Sequence, residues 1–211
     1  VSRGGRVIAS GMAGMLDAEG QPRADGGLAD LWGVRLDGRR YGAEGDASSW
    51  ENSSGHTYLR LAAPWPETAI LPFGGTLLGM EALAGSDVYA RYIPPFPIYP
   101  PEISWMRQAD SDLPAIVTRR HAGGGRTVYF AADVDRCLGR RGLPDHARLL
   151  AWALGWTLEG RETFALEGPG TVDCHLYRQR GRLILHLINL SGSPASGWGY
   201  LEENLPVGPL R

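Results

Sequence analysis

The chain has 211 residues, 43% of them hydrophobic and 21% charged, which is enough to bury a sizeable core as one domain or as one domain with an appendage. A net charge of −2 and a pI near 6.2 argue against a broad basic footprint for nucleic acid or an anionic membrane. No apolar run approaches the roughly 20 residues of a membrane span and no secretory leader pattern opens the chain, so the expectation is a soluble, cytoplasmic protein.

The opening "VSRGGRVIAS" enters a buried-type strand, Arg6 to Ser10, after a Gly pair that suits a helix C-terminus. The chain therefore reads as starting mid-domain, as a fragment of a longer polypeptide. The following turn, "ASGMAGM", is where an α/β domain can place a nucleophile on a strained elbow, but Met12 and Ala13 stand there and cannot attack a substrate. Ser10 has no His or acid close in sequence to complete a triad. Leu28, Leu31 and Trp32 then recur at helical spacing, with Gly33 as the stop.

Residues 42 to 56 are polar and Gly/Ser-rich, a surface loop with a weak sequon-like Asn52-Ser53-Ser54. Strands are expected at Thr57 to Leu61, Thr76 to Leu83 and Asp87 to Tyr92. The pattern breaks at "YIPPFPIYPPEISWMR", Tyr92 to Arg107, whose proline density permits neither a helix nor an inner strand. Two readings stay open for it. Proline fixes the backbone in advance, so Tyr92, Phe96, Tyr99, Trp105 and Arg107 can present a recognition surface at little ordering cost. Alternatively, Phe96, Tyr99 and Trp105 cover the domain's own core.

Beyond it, Ala115 to Arg119 and Arg126 to Ala131 form a hairpin about a Gly-rich turn. Asp133, Asp135 and Arg136 lie just past a strand end, where α/β proteins place ligand contacts. The DxD pair can ligate a hard cation or orient a sugar hydroxyl; the plainer reading is that Asp133 caps backbone amides and Arg136 orders the loop by a salt bridge. Neither a metal nor a cofactor is expected, because one DxD lacks further oxygen ligands and Cys137 and Cys174 sit in no metal spacing. Cys137 lies between Arg136 and Arg140, which can activate a thiol, although a bland, partly buried cysteine is the simpler expectation.

Asp145 to Leu158 reads as a mostly buried helix, with Asp145 as N-cap after Pro144, His146 in the first turn and Gly160 as the stop. The last fifty residues change character: Thr163 to Glu167, Thr171 to Arg178 and Arg182 to Leu190 are strand-like. A two-residue turn at Arg180-Gly181 would set His175 opposite His186, a pair able to bind zinc or copper or simply to pack beside Tyr177 and Ile184. The resulting division is an α/β domain over 1–160 and a small antiparallel β module over 161–211.

The stretches "GGRVIASGMAGMLDAEGQPRADGGLADLWGV", "YIPPFPIYPPEISWMR", "VYFAADVDRCLGR", "LPDHARLLAWAL" and "GPGTVDCHLYRQRGRLILHLINLSG" carry a resemblance that spans nearly the whole chain. It resembles the trimerisation-type domain of bacterial β-galactosidases, and most closely the related domain that follows the predicted barrel in a group of hypothetical glycoside hydrolases. The resemblance implies an N-terminally truncated flavodoxin-like, class I glutamine-amidotransferase-like α/β fold followed by a β module. It further implies a (β/α)8 catalytic domain upstream in the same polypeptide, a homo-oligomer, and a saccharide as candidate ligand. Amidotransferase relatives use an elbow cysteine; with Met12 and Ala13 in that turn, glutaminase activity is not implied. The implied role is noncatalytic: assembly and shaping of a saccharide cleft, with Tyr92, Phe96, Tyr99, Trp105 and Arg107 as contact surface and Asp133, Asp135 and Arg136 fixing a loop or touching sugar hydroxyls. The competing expectation is a stand-alone hydrolase or ligand-binding module built on Asp133, Asp135, Arg136 and His146.

Overall fold

A computed structural model of the chain describes residues 1–23, 27–42, 57–63, 65–96, 100–108, 111–192 and 205–211. The backbone divides into two compact units, one made of Val1–Leu138 with Gly142–Glu159, the other of Gly139–Arg141 with Gly160–Arg211.

The first unit is α/β. Its main sheet holds strands β1 (Arg6–Ser10), β3 (Tyr58–Leu61), β4 (Ile70–Pro72), β6 (Ser86–Ile93), β7 (Pro114–Arg120) and β8 (Arg126–Phe130), in the order β1-β8-β7-β6-β3-β4. The sheet is mixed: β1 runs parallel to β8, and the remaining neighbours pair antiparallel. A separate ribbon pairs β2 (Val34–Gly42) with β5 (Thr76–Ala82). The α-helices are α1 (Ala29–Trp32), α2 (Val134–Arg141) and α3 (Pro144–Leu158).

The buried run "RTVYF" explains the layering. Every residue of β8 is buried, as in a strand covered on both faces, and successive side chains point to opposite faces. Arg126 donates to the Trp156 carbonyl of α3 at 2.8 Å, whereas Tyr129 stacks on Trp32 of α1 with ring centroids 6.2 Å apart. Positions 126 and 129 differ in parity, so α3 and α1 lie on opposite faces of the sheet. Trp32 is fixed further by its indole N–H donating to the Ala13 carbonyl at 2.8 Å, and Thr127 donates to the Leu31 carbonyl at 3.0 Å.

The first strand, the Gly33 stop, the strands expected at Thr57 to Leu61, Thr76 to Leu83 and Asp87 to Tyr92, and the Gly-rich hairpin fall where the residue pattern puts them. Gly33 ends α1 in the left-handed region, φ 74°, where a Cβ would meet Ser86. Other expectations need correction. The α3 cap is Leu143 with Pro144 as first helical residue, and Asp145 makes no cap hydrogen bond. Nor is α3 mostly buried: His146, Leu149, Ala153 and Thr157 form one buried stripe, while Leu154 stays 53% exposed. Its C-terminal left-handed residue is Glu159, φ 55°, ahead of Gly160; the Glu159 carboxylate pairs with Arg126, which holds it there.

Strands β2 and β4 lie outside the sequence expectation because their short, charged or Gly-containing sequences carry little periodicity; α2 is amphipathic, burying Val134 and Cys137, but it is short, highly charged and contains a glycine. Only Gly42 of the expected 42–56 loop, and none of Asn52-Ser53-Ser54, lies within the described residues.

In the second unit, β9 (Val172–Gln179) and β10 (Arg182–Asn189) form one antiparallel hairpin. Arg180 and Gly181 both take positive φ, 47° and 78°, which is the type I′ geometry that matches strand twist. Thr163 to Glu167 is not a strand; Gly168, Pro169 and Gly170 follow it, and Glu167 exchanges both backbone hydrogen bonds with Arg211 at 2.9 Å.

Candidate functional site

The parallel pair β1·β8 gives the first unit a carboxyl end, reached by the turn after Ser10 and by the β8–α2 junction. Four of the residues singled out in the sequence, Ser10, Asp133, Asp135 and Arg136, meet there. Ser10 donates to Asp135 at 2.8 Å across 125 residues of chain. Arg136 donates through Nε to Asp133 Oδ2 at 2.6 Å and through Nη2 to the Thr76 hydroxyl at 3.3 Å.

Asp133 also locks the β2/β5 ribbon to the main sheet. Its Oδ1 accepts the Thr76 amide at 2.8 Å, while its own amide donates to the Thr76 carbonyl at 3.2 Å. Leu78 donates to the Ala131 carbonyl at 3.1 Å, which continues the same seam. A Cβ on Gly75 would lie 2.1 Å from Asp133 Oδ1 and 2.5 Å from Cys137 Sγ, so the ribbon approaches only because that position is glycine. Both carboxylate oxygens of Asp133 are thus spent on the loop: the amide it captures belongs to β5, and the salt bridge to Arg136 orders the junction. Cys137 is buried at 3% exposure with its thiol 3.5 Å from Asp133 Oδ1. Both cysteines are free. His146 is fully buried, its Nε2 on the Pro72 carbonyl at 2.9 Å. Among the described residues no group of three or more His, Cys, Asp or Glu side chains is arranged to hold a metal ion.

The proline segment is divided. Tyr92 is fully buried, edge-on to Phe73 with centroids 6.2 Å apart and beside Tyr41 at the same distance. Phe96, 8% exposed, stacks on Tyr58 at 6.0 Å. Past the prolines a 3₁₀ turn, Pro101–Ile103, carries the chain to Trp105, which is 54% exposed with the Arg107 guanidinium 3.9 Å above its ring. The Arg107 side chain is set by donating to the Ile103 carbonyl at 3.1 Å. The first half of the segment is therefore core cover, and the second half holds out one aromatic–guanidinium platform. Tyr99 lies outside the described residues.

In the hairpin the register sets Gln179 against Arg182 and His175 against His186. His175 bonds Asp173 at 3.0 Å and stacks on Tyr177, whose ring meets His186 edge-on at 5.5 Å, so the pair is bound up with an aromatic neighbour.

Sequence reading missed a cleft of about 450 Å³ between the Met12–Met15 turn and the β2/β5 ribbon. Met12, Met15, Leu36 and Leu78 give it apolar walls. Among the described residues its charged lining is Arg23, Arg35, Arg39 and Arg40 with the carboxylate Asp37. No signal short of the ribbon's pairing could have found it, because the turn and the arginines meet only when β2 folds back on β5.

No family model matches the chain, and neither does any curated protein. Among solved structures it is similar to Gan42B, a GH42 β-galactosidase from G. stearothermophilus, with a TM-score of 0.56 at 12% identity. A catalytic mutant of the same enzyme gives 0.54 at 11% identity. Each match covers 91% of this chain and 23% of the β-galactosidase. The chain thus spans less than a quarter of the enzyme it resembles, and at such identity the likeness is one of fold.

Proposed function

We propose that the chain is a noncatalytic accessory and assembly domain of a larger carbohydrate-active enzyme, a glycoside hydrolase, with a flavodoxin-like, glutamine-amidotransferase-like first unit. The observation that carries this reading is the coverage: nearly the whole chain follows the fold of a minor part of a β-galactosidase. In support, the acidic pair on which a stand-alone hydrolase would be built is occupied, Asp133 by Thr76 and Arg136 and Asp135 by Ser10. The Trp105–Arg107 platform is the surface offered to a neighbouring subunit or to a saccharide, since an aromatic face and a fixed guanidinium suit both a sugar ring and an interface anchor. Its natural neighbours on this reading are a (β/α)8 catalytic domain in the same polypeptide and further copies of the chain.

The test joins sedimentation with turnover. The chain is expected to self-associate, to lose that association in Trp105→Ala, and to leave a panel of nitrophenyl glycosides uncleaved. Robust turnover that disappears in Asp133→Asn would sink the noncatalytic reading, and a strict monomer, alone and within the full-length protein, would sink the assembly role.

A further inference from the structure

The arginine-lined cleft stands apart from that function. We propose that it binds a small organic anion, with a carboxylate or phosphate head against the arginines and a carbon body between Met12, Met15, Leu36 and Leu78.

Its floor is built by a bulge. Pairing of β2 with β5 runs to Leu36↔Met80, lapses, and resumes at Arg40↔Leu78, leaving Asp37, Gly38 and Arg39 out of the ladder. Bulges bend a strand and re-aim side chains, and they gather near binding sites. Here the bulge is held from both sides. Asp37 Oδ1 accepts the Arg39 amide at 2.8 Å, and Gly38 takes φ 81°, a conformation suited to glycine. Opposite them, a Cβ on Gly79 would lie 2.1 Å from the same Asp37 oxygen. One carboxylate is thus turned back onto its own loop while Arg35 and Arg40 flank it.

Charge points the same way. A chain of net charge −2 gathers Arg23, Arg35, Arg39 and Arg40 in this cleft, with Asp37 the one carboxylate among the described lining residues. By contrast Arg136, Arg126 and Arg148 are each paired, with Asp133, Glu159 and Glu67. Among the described residues Arg35 and Arg40 have neither an ion pair nor a side-chain hydrogen bond. A concentrated positive field beside apolar walls draws an anion and strengthens its hydrogen bonds, and guanidinium matches the planar carboxylate and the phosphate in two-pronged fashion. A volume of about 450 Å³ falls in the range of small-molecule sites, and the place, beside the carboxyl end of a parallel strand pair, is where α/β sheets accept ligands.

Backbone amide shifts of the isotope-labelled chain, titrated at constant ionic strength with phenyl phosphate, with benzoate and with neutral benzyl alcohol, test this. At least one anion is expected to move the Gly38 and Gly79 amides saturably with a Kd below ~1 mM, the tighter one identifying the head group, while benzyl alcohol leaves them in place. The exposed double change Arg35→Gln with Arg40→Gln should weaken binding about tenfold or more. Met12→Trp, which fills the cleft and keeps the arginines, should abolish it. The site is overturned if neither anion saturates by ~10 mM, if the alcohol binds as well as the anions, or if either variant binds like the parent.

Discussion

Asp133 and Thr76 hold each other by a reciprocal pair of hydrogen bonds, the Asp133 carboxylate accepting the Thr76 amide at 2.8 Å and the Asp133 amide donating to the Thr76 carbonyl at 3.2 Å. This joins the start of β5 to the β8–α2 junction, so a residue that looks like half of a metal motif works as a clamp. Asp133→Ala leaves the part-buried Thr76 amide without its acceptor and removes the Arg136 ion pair. It should cost about 1–3 kcal/mol in urea unfolding, with the folded secondary structure intact and no change in metal content. An unchanged midpoint would remove the clamp.

The proline segment should respond in two ways. Tyr92→Ala and Phe96→Ala empty packed positions and should each cost about 3–5 kcal/mol, seen as a lower unfolding midpoint. Trp105→Ala, at an exposed site, should stay within about 0.5 kcal/mol of the parent while weakening self-association or saccharide capture. Equal stability losses at positions 92 and 105 would mean that the whole segment is core cover.

The Arg180-Gly181 turn sets the register of the terminal hairpin, and Arg180 is a non-glycine residue at φ 47°. Asn tolerates that conformation better, so Arg180→Asn should slow amide exchange along β9 and β10 by a few-fold, and Gly181→Ala should speed it. Faster exchange in Arg180→Asn would contradict the type I′ geometry.

His121 supplies a pH prediction. Its ring lies 3.2 Å from the Thr127 hydroxyl, and burial, then the nearby Arg119, hold its pKa below the usual 6.5. In the folded state it binds fewer protons than in the unfolded state, so its contribution to stability is complete above pH 6.5, falls as the pH drops towards the lowered value, and levels off beneath it. Proton titration by NMR should put its midpoint below 6.5, and His121→Gln should flatten the stability profile over that window alone.

Much of the framework follows from local chemistry. Buried runs such as "RTVYF", the helical spacing of Leu28, Leu31 and Trp32, and the Arg180-Gly181 turn specify strand, helix and register without outside help, because each preference is satisfied within a few residues. The facing of His175 and His186 is of this kind: once the turn length is fixed, the pairing follows. What the sequence could not determine are the relationships whose partners lie far apart along the chain. Asp133 and Asp135 look alike as a DxD pair, yet one clamps Thr76 and the other meets Ser10, 125 residues away. Tyr92 and Trp105 look alike as aromatics in a proline segment, yet one is core and the other surface. The arginine cleft exists only because β2 folds back on β5 over a glycine, a long-range closure whose cost and reward leave no periodic trace in the residues that make it.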